Sequence, residues 1–592
     1  MKYIISSLTL LLLLFSPLCY SQKPVTGDNP SSPQGDPKRT HLNRNNISTV
    51  FRYDGISDID VAQSNSGFVY PWGSGKTAVF ISGLLWGVQI SGDPQVRVGG
   101  STYATGLQGG KILSPGVAED SNLPHVRIYR VRPDVYPGGP PVDLSMEAID
   151  EFKTEAQVRT QYELDWVEWR AIDGAPFDDV DGDGLYNPDF DVPGISGASQ
   201  TIWFVANDLE PGLTMNLYGT LPIGIEYQAT MWAYKDSVGW DNLFFRKYKL
   251  INKSETTFDN MYISMWSDPD VGNSVDDFVG CDTLLSLGYA YNAFDFDATY
   301  APLPPPAVGF DLIRGPIVPG NLGEDINRNG VDDGYDYGMF EGEKRGPGFI
   351  NLPLTAFYYF IIEDPILTDP PLASPQGATE FYNFFQGRIG QTGEFYVDPN
   401  TGLSTTFPLS GNPVDSTGWV DGQIHGPGDR RLGLSTGPLI MAIGDTQVVV
   451  IAEIAGGAID GVDHKSAIDT IKYYSELAQA FYDAKYPPVV TVADEELQPV
   501  EFRLFQNYPN PFNPSTIIKF SLPVALSGVE GSLVTLKIYN ALGEEVAVLL
   551  DDELTIGTYT VEWNAAGLPS GVYFYQLQSG SFIETKKMIL MK

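Results

Sequence analysis

The chain is 592 residues long, with 74 acidic against 36 basic side chains, a formal charge of −38 and a pI near 4.3. That balance leaves no basic footprint for nucleic acid or an anionic membrane, and two cysteines exclude a disulfide-stapled scaffold. A chain of this size must be held by buried apolar area, with or without bound metal.

Lys2 precedes an apolar run from Leu8 to Phe15 and then Cys19-Tyr-Ser21, with small residues where a signal peptidase reads. Residues 1–21 are therefore expected to be a signal peptide. The run is too short to span a bilayer, and no later stretch reaches the roughly 18 to 20 apolar residues required. Ser16-Pro-Leu-Cys19 lacks the small residue that precedes a lipidated cysteine. Cleavage would leave Cys281 alone, with no internal disulfide. Gly280-Cys281-Asp282 follows acidic residues that raise a thiol pKa, so a buried structural cysteine is expected. Residues 22–48, with Asn-Pro, Ser-Ser-Pro and Gly-Asp-Pro clusters, read as a flexible lead-in.

Residues 49–490 form the passenger, which holds nearly all the negative charge. Strands are predicted at 77–90, 96–103 and 126–131, in a meander over 224–234, 242–252 and 257–267, and at 284–291, 356–362, 381–386 and 448–454. With 62 glycines and 44 prolines, turns are frequent. The fold class is mainly β: a large antiparallel sandwich-type passenger with long loops, in one or more subdomains, and one closing helix. That helix begins at the capping box Ser466-Ala-Ile-Asp469. Ile468, Ile471, Tyr474, Leu477, Ala478 and Phe481 then recur every three or four residues until Pro487-Pro488 stops them. An acidic linker follows at 491–502.

From Arg503 onward the balance is six basic to eight acidic residues, and short β-branched and aromatic runs alternate with turns such as Leu542-Gly543 and Pro569-Ser570-Gly571. This spacing suits a small immunoglobulin-like sandwich. Phe505-Gln-Asn-Tyr-Pro-Asn-Pro-Phe-Asn-Pro-Ser515, Val534-Thr-Leu-Lys-Ile-Tyr-Asn-Ala-Leu-Gly543, Ser570-Gly-Val-Tyr-Phe-Tyr575 and the terminus Lys586-Lys-Met-Ile-Leu-Met-Lys592 together resemble the type A C-terminal sorting domain of the type IX secretion system. The resemblance covers 503–592. It implies a Bacteroidetes-type bacterium, passage through the periplasm, and delivery to the outer cell surface or beyond by the type IX machinery. Tyr70-Pro-Trp-Gly, Trp266-Ser-Asp-Pro-Asp-Val-Gly and Asp277-Phe-Val-Gly-Cys-Asp282 are similar to uncharacterised exported proteins with the same tail, which implies no activity.

Two Asp/Asn loops hold the strongest site signals. Asp179-Val-Asp181-Gly-Asp183-Gly-Leu-Tyr-Asn187 offers oxygen ligands at alternate positions and a glycine at the sixth, the pattern of a calcium loop. Its twelfth position is Phe190, so Asp189 or Asp191 must supply the closing carboxylate. In Asp325-Ile-Asn327-Arg-Asn329-Gly-Val-Asp-Asp333-Gly-Tyr-Asp336 the twelfth position is Asp336, and this stretch resembles dockerin-like and thrombospondin-type loops. Structural calcium is expected at both, against the plainer account of solvated turns. A third cluster, Asp268, Asp270, Asp276, Asp277 and Asp282, has no metal-loop spacing and reads as an acidic surface loop.

Other candidates are weaker. Gly73-Ser-Gly-Lys76 lacks the first glycine of a phosphate loop, and Gly433-Leu-Ser435-Thr-Gly437 lacks the helix that follows a nucleophile elbow. The four histidines, 41, 125, 425 and 464, are isolated in sequence, which speaks against zinc. Glu163, Asp165 and Glu168 beside Trp166 and Trp169 could form a glycosidase pair with a stacking platform, but edge-strand aromatics in a β-rich core explain them as well or better. The expectation is a calcium-stabilised exported protein with a binding, adhesive or structural role toward a surface polysaccharide or protein. A hydrolase of polysaccharide or protein is the alternative.

Overall fold

The computed structural model describes residues 38–60, 65–235, 240–320, 338–345 and 349–485, and then 503–504, 507, 510, 512–522, 532–554, 557–579 and 582–590. The expected signal peptide, most of the lead-in, the linker and the loop from Asp325 to Asp336 lie outside the described residues. The chain divides into two compact units, Met1–Tyr486 and Pro487–Lys592.

In chain order the principal strands of the first unit are β1 (Ile81–Ile90), β2 (Arg97–Gly100), β3 (Tyr129–Val131), β4 (Gln200–Asn207), β5 (Ile225–Ala233), β6 (Leu243–Asn252), β7 (Phe258–Asp268), β8 (Asp277–Asp282), β9 (Leu287–Asn292), β10 (Ala307–Arg314), β11 (Ala356–Ile361), β12 (Arg430–Met441) and β13 (Thr446–Gly456). Five of them pair in the order β11-β12-β7-β1-β2. A nine-stranded sheet runs β3-β4-β5-β6-β13-β10-β9-β8, with the short strand Gln108–Gly109 added beside β4. All ladders are antiparallel. Leu84, Ile263, Met265 and Leu434 of the smaller sheet face Phe310, Leu312, Val449 and Ile451 of the larger. This places the main core between the two sheets, as in a sandwich.

The sheets are covered on their outer faces too, which explains why β1, β4 and β5 are buried almost throughout rather than alternately. Among the described residues there are five α-helices: α1 (Ser145–Asp150), α2 (Glu155–Val167), α3 (Pro211–Tyr218), α4 (Pro375–Phe385) and α5 (Ser466–Lys485). The expected closing helix is α5, whose Ile468, Ile471 and Ala478 are buried with Tyr289, Val450 and Ile454 of the larger sheet. Asp463 Oδ1 accepts from the Ser466 and Lys465 amides. The helix is thus capped from upstream, in place of the expected box.

The smaller sheet is covered by α4, across residues expected to be a strand at 381–386. Ser374 Oγ accepts from the Gln376 amide and Pro375 occupies the first turn. Phe381, Phe384 and Phe385 then share one buried face. An aromatic-rich helix face reads locally like a strand. The approach is close: a Cβ on Gly87 would fall 2.8 Å from Tyr382 and 2.9 Å from Phe385.

The expected meander is only partly one. β5 and β6 pair, but β7 crosses to the other sheet. Asn252 ends β6 and donates from Nδ2 to the carbonyls of Thr256, Met441 and Ala442 at 2.8, 3.1 and 3.0 Å. One amide therefore ties together the two corners at which the chain changes sheet. The end of the expected lead-in is also built in: Arg39–Leu42 pairs with Thr49–Arg52, and Asn43 is fully buried.

The second unit holds β14 (Ser515–Leu522), β15 (Ser532–Asn540), β16 (Glu545–Leu554), β17 (Gly557–Asn564), β18 (Gly571–Ser579) and β19 (Phe582–Leu590). Arg503–Leu504, β14 and β17 form one antiparallel sheet and β16-β15-β18-β19 the other. Ile518, Phe520, Leu536, Ile538, Trp563, Tyr575 and Leu577 fill the core between them.

Candidate functional site

The first Asp loop is a hairpin tip. Phe177–Asp178 pairs with Val192–Pro193, and the residues between curl around carboxylates. Asp179 accepts the amides of Gly182 and Gly184, each at 2.8 Å. Asp191 accepts those of Val180 at 2.9 Å and Asn187 at 2.7 Å. Both glycines have positive φ, 74° and 78°, so this winding needs glycine. Asp179, Asp181 and Asp191 each present an oxygen within 4.8 Å of the others, with Asp191 buried and the other two exposed.

Of the two acids expected to close the loop, Asp191, one place past Phe190, is the one that groups with Asp179 and Asp181, and Asp189 stays exposed. Asp183 accepts from the Leu185 amide and Asn187 Oδ1 from the Asp189 amide, and neither belongs to the group of three. The loop is anchored from α2: Trp166 Nε1 donates to the Pro188 carbonyl at 3.1 Å, and Tyr186 Oη donates to the Trp166 carbonyl at 2.6 Å. The tryptophan expected on an edge strand lies on a helix and braces this loop. Asp325, Asn327, Asn329, Asp333 and Asp336 are outside the described residues.

The third cluster is not a surface loop. Asp268, the last residue of β7, and Asp277, the first of β8, are fully buried. Asp268, Asp270 and Asp429 each bring an oxygen within 4.8 Å of the others. Asp276 instead accepts from Asn292 Nδ2 and Asp282 pairs with Lys472 at 2.9 Å. Burial, with Asp270 and Asp276 nearby, pushes the Asp277 carboxyl well above the usual range. The proximity of Asp429, far downstream of Asp268 and Asp270, could not be read from spacing.

The glycosidase candidates are occupied. Asp165, 2% exposed, is ion-paired with Arg127 and accepts the Arg130 amide at 3.0 Å. Glu168 meets the same guanidinium at 3.1 Å and Glu163 meets Arg159 at 3.3 Å. Ser435 lies inside β12, its Oγ 3.0 Å from Ser264 Oγ. Lys76 is bound to the carbonyls of Thr299 and Ala301. His125, His425 and His464 each meet a different carboxylate, Glu119, Asp364 and Asp295. His464 and Asp295 group with Asp463 at the edge of an open cleft of about 390 Å³ that also contains Phe296 and Leu303. Cys281 is buried with Sγ 3.5 Å from the Pro408 carbonyl, and burial and Asp282 push its thiol well up, as expected for a structural cysteine.

In the second unit the Asn-Pro motif is strapped to β18 and β19. The Asn507 amide donates to Tyr575 Oη at 2.8 Å, and the Phe512 amide to the Ile589 carbonyl at 3.0 Å. The Ile589 amide returns to Asn510 Oδ1 at 2.9 Å. Residues 506–591 match the family described as secretion system C-terminal sorting domain. This chain carries a type IX sorting tail. The tail directs the protein to the cell surface or the extracellular space and engages the secretion machinery. No curated protein matches the chain. A solved structure described as a polysaccharide lyase is 8% identical over 62% of this chain and 34% of its own length, with a TM-score of 0.15. The match spans about a third of that structure. No helix among the described residues is long and apolar enough to cross a membrane.

Proposed function

We propose that the exported passenger is a calcium-stabilised binding protein of the cell surface, with an adhesive or structural role toward a polysaccharide or protein outside the cell. The observation that carries the calcium reading is the convergence of Asp179, Asp181 and Asp191 at a tip already wound by backbone amides. Calcium takes six to eight oxygens, carboxylate, carbonyl and water alike. Three carboxylates supply the charge, and weak affinity suffices where calcium is millimolar. The role of the ion is to hold the hairpin against α2. The loop from Asp325 to Asp336 is read as a second such site on its sequence alone.

The non-catalytic reading is supported by what has become of the acids best suited to hydrolysis. Asp165 and Glu168 share Arg127, and both lie on one helix end rather than across a groove, as a glycosidase pair requires. The test is to incubate the secreted protein with a panel of bacterial and host polysaccharides and denatured proteins in millimolar calcium. Retention on one polymer class without new reducing ends or cleaved peptides is the expected result. Release of either product establishes the hydrolase instead.

A further inference from the structure

The outer face of the nine-stranded sheet carries a lysine where its neighbours carry core residues. Along β6 the side chains alternate between faces, so Leu243, Phe245, Lys247 and Lys249 share one. Leu243 and Phe245 are buried in the cluster beneath α5, and Phe481 of α5 stacks on Phe245. Two residues further on, Lys247 sits between Thr230 of β5 and Val450 of β13. There the covering elements enclose a cavity of about 80 Å³. Its apolar walls are Trp232, Val450 and Tyr482, with Met339 from the hairpin that pairs Gly338–Phe340 with Glu343–Arg345. Its polar lining is Lys247, Arg314 and Glu341. A single water needs only about 10–15 Å³ measured in this way, so the space admits a small organic molecule.

The charges around this cavity are paired except at Lys247. Lys249 Nζ meets Glu341 at 2.6 Å. Arg314 pairs with Asp483 near the end of α5 and lies over the ring of Tyr482, 5.4 Å from its centroid. Glu343, on the same hairpin as Glu341, meets Arg345 at 3.0 Å. Lys247 has no hydrogen bond or ion pair among the described residues, and Glu341, already held by Lys249, acts on it only at longer range. Burial pushes its ammonium below the usual lysine range, and Lys249 adds to the shift. An ammonium removed from water without a partner is costly, and here it stands in a chain whose net charge is −38. The arrangement is that of a ligand site: apolar and aromatic walls, with one charged group to fix orientation.

We propose that this cavity binds a small apolar monocarboxylate, its carboxylate on Lys247 Nζ and its hydrocarbon part against Trp232, Val450, Tyr482 and Met339. One unpaired cation calls for one negative charge, and Glu341 and Asp483 nearby would repel a second. The walls offer a hydrocarbon tail more than they offer the hydroxyls of a sugar. The site shares no residue with the 179–191 loop, so it stands or falls apart from the calcium reading and from any polymer the passenger holds.

The experiment titrates the full secreted chain with 4-methylpentanoate and, separately, with 4-methylpentanamide, followed by calorimetry. The parent is expected to bind the acid with a dissociation constant of about a millimolar or below, within reach of so small a ligand, and the amide about tenfold or more weakly. Lys247→Met, which keeps the length of the side chain and removes its charge, should bind the acid about tenfold or more weakly than the parent, the order expected for one hydrogen bond to a charged group. Equal affinity for acid and amide, an unchanged affinity in Lys247→Met, or no saturation by the acid overturns the proposal. If Lys247→Met does not fold, Met339→Trp decides, because it narrows the same cavity from the hairpin. Weakened binding of the acid then supports the site, and unchanged binding overturns it.

Discussion

Arg246 donates from its guanidinium to Asp58 Oδ2 at 2.7 Å with both side chains fully buried. Glu453 on the adjacent strand β13 contacts the same guanidinium, and Ser57 Oγ accepts from it at 2.7 Å. The pairing joins the N-terminal segment to the inner face of the larger sheet. Replacing one member of a buried ion pair strands its partner at a cost of about 3–5 kcal/mol. Arg246→Met should therefore lower the stability of the passenger by that order, leaving Asp58 and Glu453 together without their cation. Urea unfolding followed by tryptophan fluorescence gives the change in midpoint. A loss below about 1 kcal/mol counts against the pairing.

Asp311 on β10 provides a pH test of the packing of α5. Ser475 Oγ donates to its Oδ2 at 2.7 Å, and burial pushes the carboxyl up to about 8. The folded chain thus retains a proton that the unfolded chain releases above about pH 4. Protons bound by the native state exceed those bound by the unfolded state between these limits, so stability falls as pH rises from about 4 to 8 and levels off above. Asp311→Asn lacks this titration. Its stability relative to the parent should rise by several kcal/mol across the window, of which each pH unit supplies about 1.4 kcal/mol. Urea midpoints at pH 5, 7 and 9 measure it, and parallel curves for the two proteins would refute the assignment.

Sequence and structure agree best where chemistry is local. The strands and turns of the tail follow from residues adjacent in the chain, although β14 pairs with β17 and β15 with β18, and the apolar stripe of α5 was plain from Ile468 to Phe481. The calcium-like loop was legible as far as its amide-binding acids, and the choice between Asp189 and Asp191 needed the hairpin. What escaped depends on distant partners. Phe381, Phe384 and Phe385 carry high β propensity, yet the cap at Ser374 and the receiving surface around Gly87 make them a helix. Trp166 looked like part of a sugar platform until Pro188 appeared as its partner. The acids at 268–282 read as solvated because nothing in their spacing signals Arg431 or Asp429.

The 179–191 loop has its own prediction. A site with a dissociation constant near the low end of the extracellular range adds about 1–2 kcal/mol at millimolar calcium. The parent should melt later in calcium than in chelator, and Asp181→Asn should lose part of that gain. Asp181 is the preferred target because the one amide it accepts, that of Asp183 at 3.2 Å, is shared with Asp179, whereas Asp179 and Asp191 each hold further amides of the loop, so their replacement would disturb the hairpin even without an ion. Magnesium serves as the control, since its strict octahedral geometry suits a winding loop poorly. Equal protection by magnesium and calcium would argue for general charge screening.

Deleting residues 503–592 separates address from cargo. The first unit, Met1–Tyr486, has its own core between the two sheets and its own closing helix, and the tail has a separate core of Ile518, Leu536, Tyr575 and their neighbours. A chain ending at 502 should therefore melt in the same transition as the passenger of the intact protein while failing to reach the cell surface. Replacing Asn510 with Ala is the finer version. It removes the acceptor of the Ile589 amide and so loosens the strap at the final strand, a loss of about 1 kcal/mol for an exposed hydrogen bond. If surface delivery falls with Asn510→Ala while the tail stays folded by proteolysis, the machinery reads the strapped end of β19. If delivery is unchanged, recognition lies elsewhere on the tail.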